Sequence, residues 1–177
     1  MQLTRITDPN SDAFNRLMDL YEQSFPPAER RERQSLASLL SKEARMHFCS
    51  IIDDDGTMAG LFIYWDLHTF IYMEHFAVFP DMRNRGIGRR MLQHLFTLAD
   101  KPLVLEAEPA DDEMAKRRID FYRRNGFEVV ETDYIQPSYT TGGDELPLWI
   151  MAHGEMDGQQ VRDAIKTIKR EIYHNNR

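Results

Sequence analysis

The sequence predicts an α+β fold: a mixed, mostly antiparallel central sheet of about seven strands flanked by helices, plus a C-terminal helix. Three observations predict it. Ile87, Met91, Leu92, Leu95, Leu98 and Ala99 recur at three- and four-residue spacing, the signature of one buried helical face. Leu103, Leu105 and Ala107 alternate with Val104, Glu106 and Glu108, the signature of a strand. The elements follow the order β-α-α-β-β-β-α-β-α-β-β with a trailing helix, so strands and helices interleave only in the second half.

In order, Gln2 to Ile6 reads as a short strand. Asp8-Pro9 and Ser11-Asp12 cap a helix whose Phe14, Leu17, Met18, Tyr21 and Phe25 share a face, and Pro26-Pro27 stops it. A second helix is expected from Ala28 to Lys42 with Leu36, Leu39 and Leu40 inward, which makes Ser24-Phe25-Pro26-Pro27 a rigid elbow. Strands Arg45 to Ile52 and Met58 to Leu67 are joined by Asp53-Asp54-Asp55-Gly56, read as a solvated turn. The apolar run Phe70 to Phe79 is a fourth strand, closed by Pro80-Asp81 before the helix that opens at Gly86 and Gly88. After Lys101-Pro102 comes the fifth strand, Leu103 to Glu108, and then a helix capped by Asp111 and Asp112 that ends at Asn125-Gly126. Phe127 to Tyr134 and Leu146 to His153 are the last strands, separated by a loop from Gln136 to Glu145. Asp157 to Tyr173 closes the chain as a helix with Val161, Ile165, Ile168 and Ile172 in register, a stripe for its own core or for a dimer seam.

Length and charge bound the function. The 177 residues fit one domain, 1–177, with a motif-bearing core at 46–152 and an extra helix at about 157–173. A net charge of −7 argues against nucleic acid as the main partner and leaves the arginines around Gly86 as a local exception. The longest apolar run, Leu61 to Trp65, is too short to span a membrane, and the N-terminus has no apolar signal-type stretch. Cys49 is the single cysteine, which suits a reducing cytoplasm, and it lies in an apolar stretch as core filler. A soluble cytoplasmic monomer or homodimer is therefore expected.

Arg83-Asn84-Arg85-Gly86-Ile87-Gly88 forms a basic glycine loop between a strand and a helix. Helix-opening N–H groups lack internal partners, and glycines let an anion approach the backbone. A P-loop is excluded because no Lys-Ser/Thr follows, and a dinucleotide fingerprint because Arg89-Arg90-Met91 supplies no third glycine. The stretch resembles motif A of the Gcn5-related N-acetyltransferases (the GNAT superfamily), Arg/Gln-x-x-Gly-x-Gly/Ala, and matches it at every fixed position. Ile119-Asp120-Phe121-Tyr122-Arg123-Arg124-Asn125-Gly126-Phe127 is similar to the same family's Phe/Leu-Tyr-x-x-x-Gly-Phe. The order of elements agrees with that family too. At Glu108-Pro109-Ala110-Asp111-Asp112 the chain departs from it, because many members carry an asparagine there against the pantetheine arm.

The resemblance implies an N-acetyltransferase that moves an acetyl group from acetyl-CoA to a primary amine, in a ternary complex and without metal. It implies a coenzyme-binding set of Phe76, Ala77, Val78, Arg83, Asn84, Arg85, Gly86, Ile87, Gly88 and Arg89, with backbone N–H groups near Val78 receiving the acetyl carbonyl oxygen. It also implies that Tyr122 lies beside the coenzyme sulfur as the acid. Such chemistry needs a base, because a Lys-like ammonium with a pKa of about 10.4 is almost wholly charged near neutral pH. Glu74, a carboxylate inside an apolar strand, is the expected base, with Glu106 and Glu108 as rivals. His75 on the same strand titrates in the useful range but is the more structural residue. Tyr134 and Tyr139 are alternatives for the acid or the acceptor pocket. Glu22, Glu29, Glu106 and Glu108 suit a cationic small-molecule amine or a protein amine as acceptor. The competing readings are a non-catalytic acyl-CoA sensor and a transferase using another acyl donor.

Overall fold

The computed structural model describes residues 1–174. Seven strands form one sheet in the order β1-β2-β3-β4-β5-β7-β6. They are β1 (Gln2–Arg5), β2 (Met46–Ile52), β3 (Met58–Leu67), β4 (Phe70–Val78), β5 (Leu103–Ala107), β6 (Glu128–Gln136) and β7 (Leu146–His153). The pairs β1/β2, β2/β3, β5/β7 and β6/β7 are antiparallel, so the α+β expectation with a mostly antiparallel sheet holds. The helices are α1 (Asp12–Ser24), α2 (Arg33–Lys42), α3 (Ile87–Leu98), α4 (Glu113–Arg124) and α5 (Gly158–Ile168).

The chain forms two compact units, one of residues 1–67 and 73–100, the other of 68–72 and 101 onward. In the first, α1 lies against β3 and α2 against β2. Ser11 accepts a hydrogen bond from Phe14 N at 3.2 Å to start α1, whose Phe14, Leu17, Met18 and Tyr21 are buried as the periodicity predicts. Phe14 meets Phe48 of β2 with ring centroids 5.2 Å apart. Each such aliphatic or aromatic side chain taken from water contributes about 1.5–3 kcal/mol. Cys49 belongs to this core, where burial pushes its thiol up to about 12, so it is filler and no nucleophile.

In the second unit α4 lies against β5, and Asp112 caps it by accepting from Met114 N and Ala115 N. A capping box at Asp157 and Gln160 starts α5. Val161, Ile168 and Ile172 of the expected stripe are buried within the chain, so they are not left open for a second copy.

Two elements differ from the expectation. The second helix begins at Arg33, because a 3-10 turn at Pro27–Glu29 is followed by Arg30 in extended backbone. The C-terminal helix is α-helical only to Ile168; Lys169–His174 widens into a π-helical turn that buries the adjacent Ile172 and Tyr173 together. No helix among the described residues is long and apolar enough to cross a membrane.

Candidate functional site

The glycine loop is built by a succession of backbone constraints. β4 ends at Val78, Pro80–Met82 makes a 3-10 turn, and Arg83 is extended. Asn84 (φ 62°) and Gly86 (φ 72°) then take left-handed backbone, which reverses the chain into α3. Asparagine and glycine are the residues that adopt this region at little cost. Gly86 is the N-cap of α3, no side chain caps the helix there, and its first turn carries no acid. A Cβ added at Gly86 would meet nothing within 4 Å, so the space before the helix is open.

Arg83, Asn84, Arg85, Gly86 and Arg89 are exposed, Gly88 is half-buried, and Ile87 is buried as the anchor of the first turn. Arg83 donates from Nε to Val78 O at 3.2 Å, tying the loop to the strand end that carries Phe76, Ala77 and Val78. Arg90 is held back from the loop. Its guanidinium grips Asp53 (2.6 and 3.2 Å) and Asp54 (3.0 Å) of the β2–β3 turn, so that turn is an anchor for α3 and more than a solvated bend. An open helix N-terminus, left-handed glycine and three exposed arginines fit a phosphate-bearing ligand.

One contributor escaped the sequence reading. A Cβ on Gly60 of β3 would lie 2.2 Å from Ala77 O and 3.1 Å from Val78 Cα. Glycine there lets β3 press against the end of β4, where Phe79 N donates to Ala59 O at 3.0 Å. A glycine inside a strand pattern was the available signal.

Glu74 has partners on both oxygens. Arg31 Nε donates to Oε1 at 3.1 Å, and Trp65 Nε1 of β3 donates to Oε2 at 2.7 Å. The side chains of Arg31 and Glu74 are 1% and 0% exposed. Arg31 N also donates to Tyr21 Oη at 2.9 Å, and the guanidinium stacks 5.8 Å from the Trp65 ring centre. A guanidinium beside a carboxylate favours the ionised form and weakens it as a base. His75 is buried, with Nε2 2.9 Å from Glu29 O and its ring edge-on to Tyr21 and Phe25. Burial holds its pKa below the ordinary value, so it stays neutral and structural. Glu74 and His75 together fasten the connection between α1 and α2 to β4.

Tyr122 belongs to the second unit, on α4. It is half-buried, with ring centroids of Phe121 and Phe127 at 5.3 and 5.4 Å. Burial pushes its phenol up to about 12. The rivals differ in setting. Glu108 is half-buried as a residue, and its partly exposed carboxylate is paired with Arg118. Glu106 is ringed by hydrogen-bond donors, among them Tyr134, and Tyr139 lies behind them, 4.9 Å from Tyr173.

A model of the acetyltransferase (GNAT) family matches residues 14–127. A Bacillus subtilis (strain 168) protein named "Putative acetyltransferase YjbC" is 27% identical over 120 residues, which span 65% of this chain and 59% of that protein. The chain thus spans less than two thirds of that relative. A solved structure named "Putative acetyltransferase from GNAT family from Bacteroides thetaiotaomicron" is 38% identical over 98% of both chains, with a TM-score of 0.92. An aminoglycoside 6'-N-acetyltransferase solved with coenzyme A shares the fold at 17% identity and TM-score 0.56, over 89% of this chain and 100% of that one.

Proposed function

This chain belongs to the acetyltransferase (GNAT) family and is an acyltransferase, and from that premise we propose that it transfers the acetyl group of acetyl-CoA to a primary amine. The observation that carries the reading is the uncapped, glycine-opened N-terminus of α3 with Arg83, Arg85 and Arg89 exposed around it. Its N–H groups and arginines would hold the coenzyme's pyrophosphate, and the end of β4 at Phe76, Ala77 and Val78 would run beside the pantetheine arm. The coenzyme supplies an activated thioester carbon.

The chain's residues then manage two protons. An acceptor ammonium must lose one so that its lone pair can form the C–N bond. The C–S bond breaks, and the departing sulfur must be met by a proton donor. Tyr122 takes that part. A phenol at about 12 is protonated at any working pH, while a thiol loses its proton near 8.5. As the amide forms, the nitrogen sheds its second N–H proton to solvent. Full transfer from Tyr122 is uphill, so Tyr122 first hydrogen-bonds the sulfur, gives up its proton late in the step, and is reprotonated from solvent.

Glu74 was the expected base. In this reading it acts indirectly, because its carboxylate is sealed by Arg31 and Trp65 and has no exposed surface. It holds Arg31, and through Arg31 the connection between α1 and α2 that follows the proline elbow; a proton reaches it only by way of intervening water.

The test is calorimetric titration with acetyl-CoA, followed by thiol release against polyamines, aminoglycosides, amino acids and peptide N-termini. Binding and amine-dependent thiol release are expected. Binding with no amine-dependent release would favour a sensor, and failure to bind acetyl-CoA would remove the reading.

A further inference from the structure

The first turn of α3 has little of its own to hold it. Its N-cap is Gly86, no side chain caps it, and Gly88 follows two residues later. Glycine loses more freedom on ordering than any other residue, so a terminus built this way is loose unless something outside the helix fixes it. Ile87 is buried and supplies one such contact. Arg90 supplies another. Its N–H makes the opening helical hydrogen bond, to Gly86 O at 3.0 Å. Its guanidinium reaches the β2–β3 turn, where Nη1 and Nη2 engage both oxygens of Asp53 at 2.6 and 3.2 Å, and Nη1 also donates to Asp54 at 3.0 Å.

The turn that receives Arg90 is itself fixed. Asp53 N donates to Thr57 O at 2.8 Å and Gly56 N to Asp53 O at 3.0 Å, closing the hairpin end. Asp54 N and Thr57 N donate to the carboxylates of Asp53 and Asp55, each at 2.8 Å. The Asp53 side chain is only 13% exposed, and the hydrogen bonds from Arg90 hold its carboxyl below the ordinary range, so it is ionised at any working pH. All these residues lie in the first compact unit. A fork of two N–H···O bonds sets direction as well as distance. A rigid turn 37 residues away therefore sets how the first turn of α3 is rotated, and with it where the N–H groups of Ile87, Gly88 and Arg89 point.

We propose that Asp53 is a positioning residue for the coenzyme: through Arg90 it fixes the anion-binding turn of α3, and it keeps that guanidinium out of the phosphate site. The inference rests on the acetyl-CoA reading and extends it to a segment outside the two sequence motifs. Two effects of Asp53 oppose each other. A carboxylate near an anion site repels the anion through its field, so a turn acting only as a charge would let coenzyme bind more tightly once neutralised. An Arg90 able to swing onto the phosphate would be freed for it by the same change. A turn acting as a clamp does the reverse, and its loss weakens binding.

The experiment is calorimetric titration of the full chain with acetyl-CoA, beside steady-state kinetics with whichever screened amine gives the fastest thiol release. Asp53→Asn is expected to weaken acetyl-CoA binding about three- to fivefold, the upper end for an ion pair near the surface. Arg90→Lys keeps the charge but cannot engage both oxygens in a fork, and should lose a similar factor. The double variant should lose no more than the larger single loss, because both changes act on one contact. KM for acetyl-CoA should rise by the same factor while kcat and KM for the amine hold, a split that a general loosening of the fold would not give. Unchanged or tighter binding in Asp53→Asn, or full additivity in the double variant, overturns the proposal and leaves acetyl transfer standing. Should Asp53→Asn fail to fold, Arg90→Lys decides alone, and wild-type affinity there overturns the proposal. If wild type binds no acetyl-CoA, the acetyl-CoA reading fails first, and this inference with it.

Discussion

Arg31 and Glu74 are 43 residues apart in sequence and meet at 3.1 Å in an ion pair that solvent does not reach. The pair fixes the connection between α1 and α2 to β4. Removing one partner of such a pair strands a buried charge, which costs about 3–5 kcal/mol, whereas replacing both by apolar groups is far milder. Arg31→Met should therefore lower stability in urea by about that amount, and Arg31→Met with Glu74→Leu should recover much of it. Equal losses in the single and double variants would show that the charge pairing is not what holds this connection.

Glu74→Gln separates a clamp from a base. The amide oxygen still accepts from one partner, but Arg31 loses its buried counter-charge, so the loss should be about 3–5 kcal/mol, as for Arg31→Met. A residue that acts by holding Arg31 alters KM for the amine and leaves the acidic limb of the pH–rate curve in place. Disappearance of that limb would return the direct base role to Glu74.

Gly86 is tested through its backbone. Its left-handed φ of 72° costs an L-residue about 1–2 kcal/mol, more for a β-branched one, although its Cβ would meet no neighbour. Gly86→Val should weaken acetyl-CoA binding tenfold or more in calorimetry, by roughly 1.4 kcal/mol per decade. Gly86→Asn, which tolerates this backbone, should lose much less. Equal affinities for wild type and Gly86→Val would remove the loop from the coenzyme site.

These tests also mark what was legible in the sequence. The glycine loop was, because left-handed backbone, an opened helix and flanking arginines are all local to residues 83–90. The strands and most helix bounds were legible from periodicity for the same reason. The Arg31–Glu74 pair was not: Pro26-Pro27 announced a break, but nothing marked Arg31, among Arg30, Arg31 and Arg33, as the buried one. The ring around Glu106 was half visible. Glu106, Tyr134 and Tyr139 stood out as polar groups in or near strands, yet Tyr72 and Tyr173 join them only through the fold. The π-helical turn was hidden because a single 3.6-residue stripe through Ile168 and Ile172 leaves Tyr173 off the buried face.

Gly60 offers a packing test beside the same loop. Its Cβ would fall 2.2 Å from a backbone oxygen of Ala77, and backbone cannot yield as a flexible side chain can. Gly60→Ala should cost about 1–3 kcal/mol in chemical unfolding and weaken acetyl-CoA binding, because the displaced segment carries Ala77 and Val78. Unchanged binding in a destabilised variant would confine Gly60 to structure.

In the proposed transfer Tyr122 is the acid, and its pKa dictates what pH should do. A phenol raised to about 12 remains protonated across any practical assay range, so it is competent as a donor throughout. Any basic limb seen between pH 8 and roughly 10 must then come from another group. Tyr122→Phe should keep acetyl-CoA affinity, since the ring still packs against Phe121 and Phe127, and should lose roughly 10²–10⁴ in turnover. Single-turnover rates keep slow product release from masking the effect. A Tyr122→Phe enzyme that transfers acetyl at the wild-type rate under those conditions would pass the acid to Tyr134 or Tyr139. Tyr134 is the poorer choice of the two, because its hydroxyl is already given to Glu106.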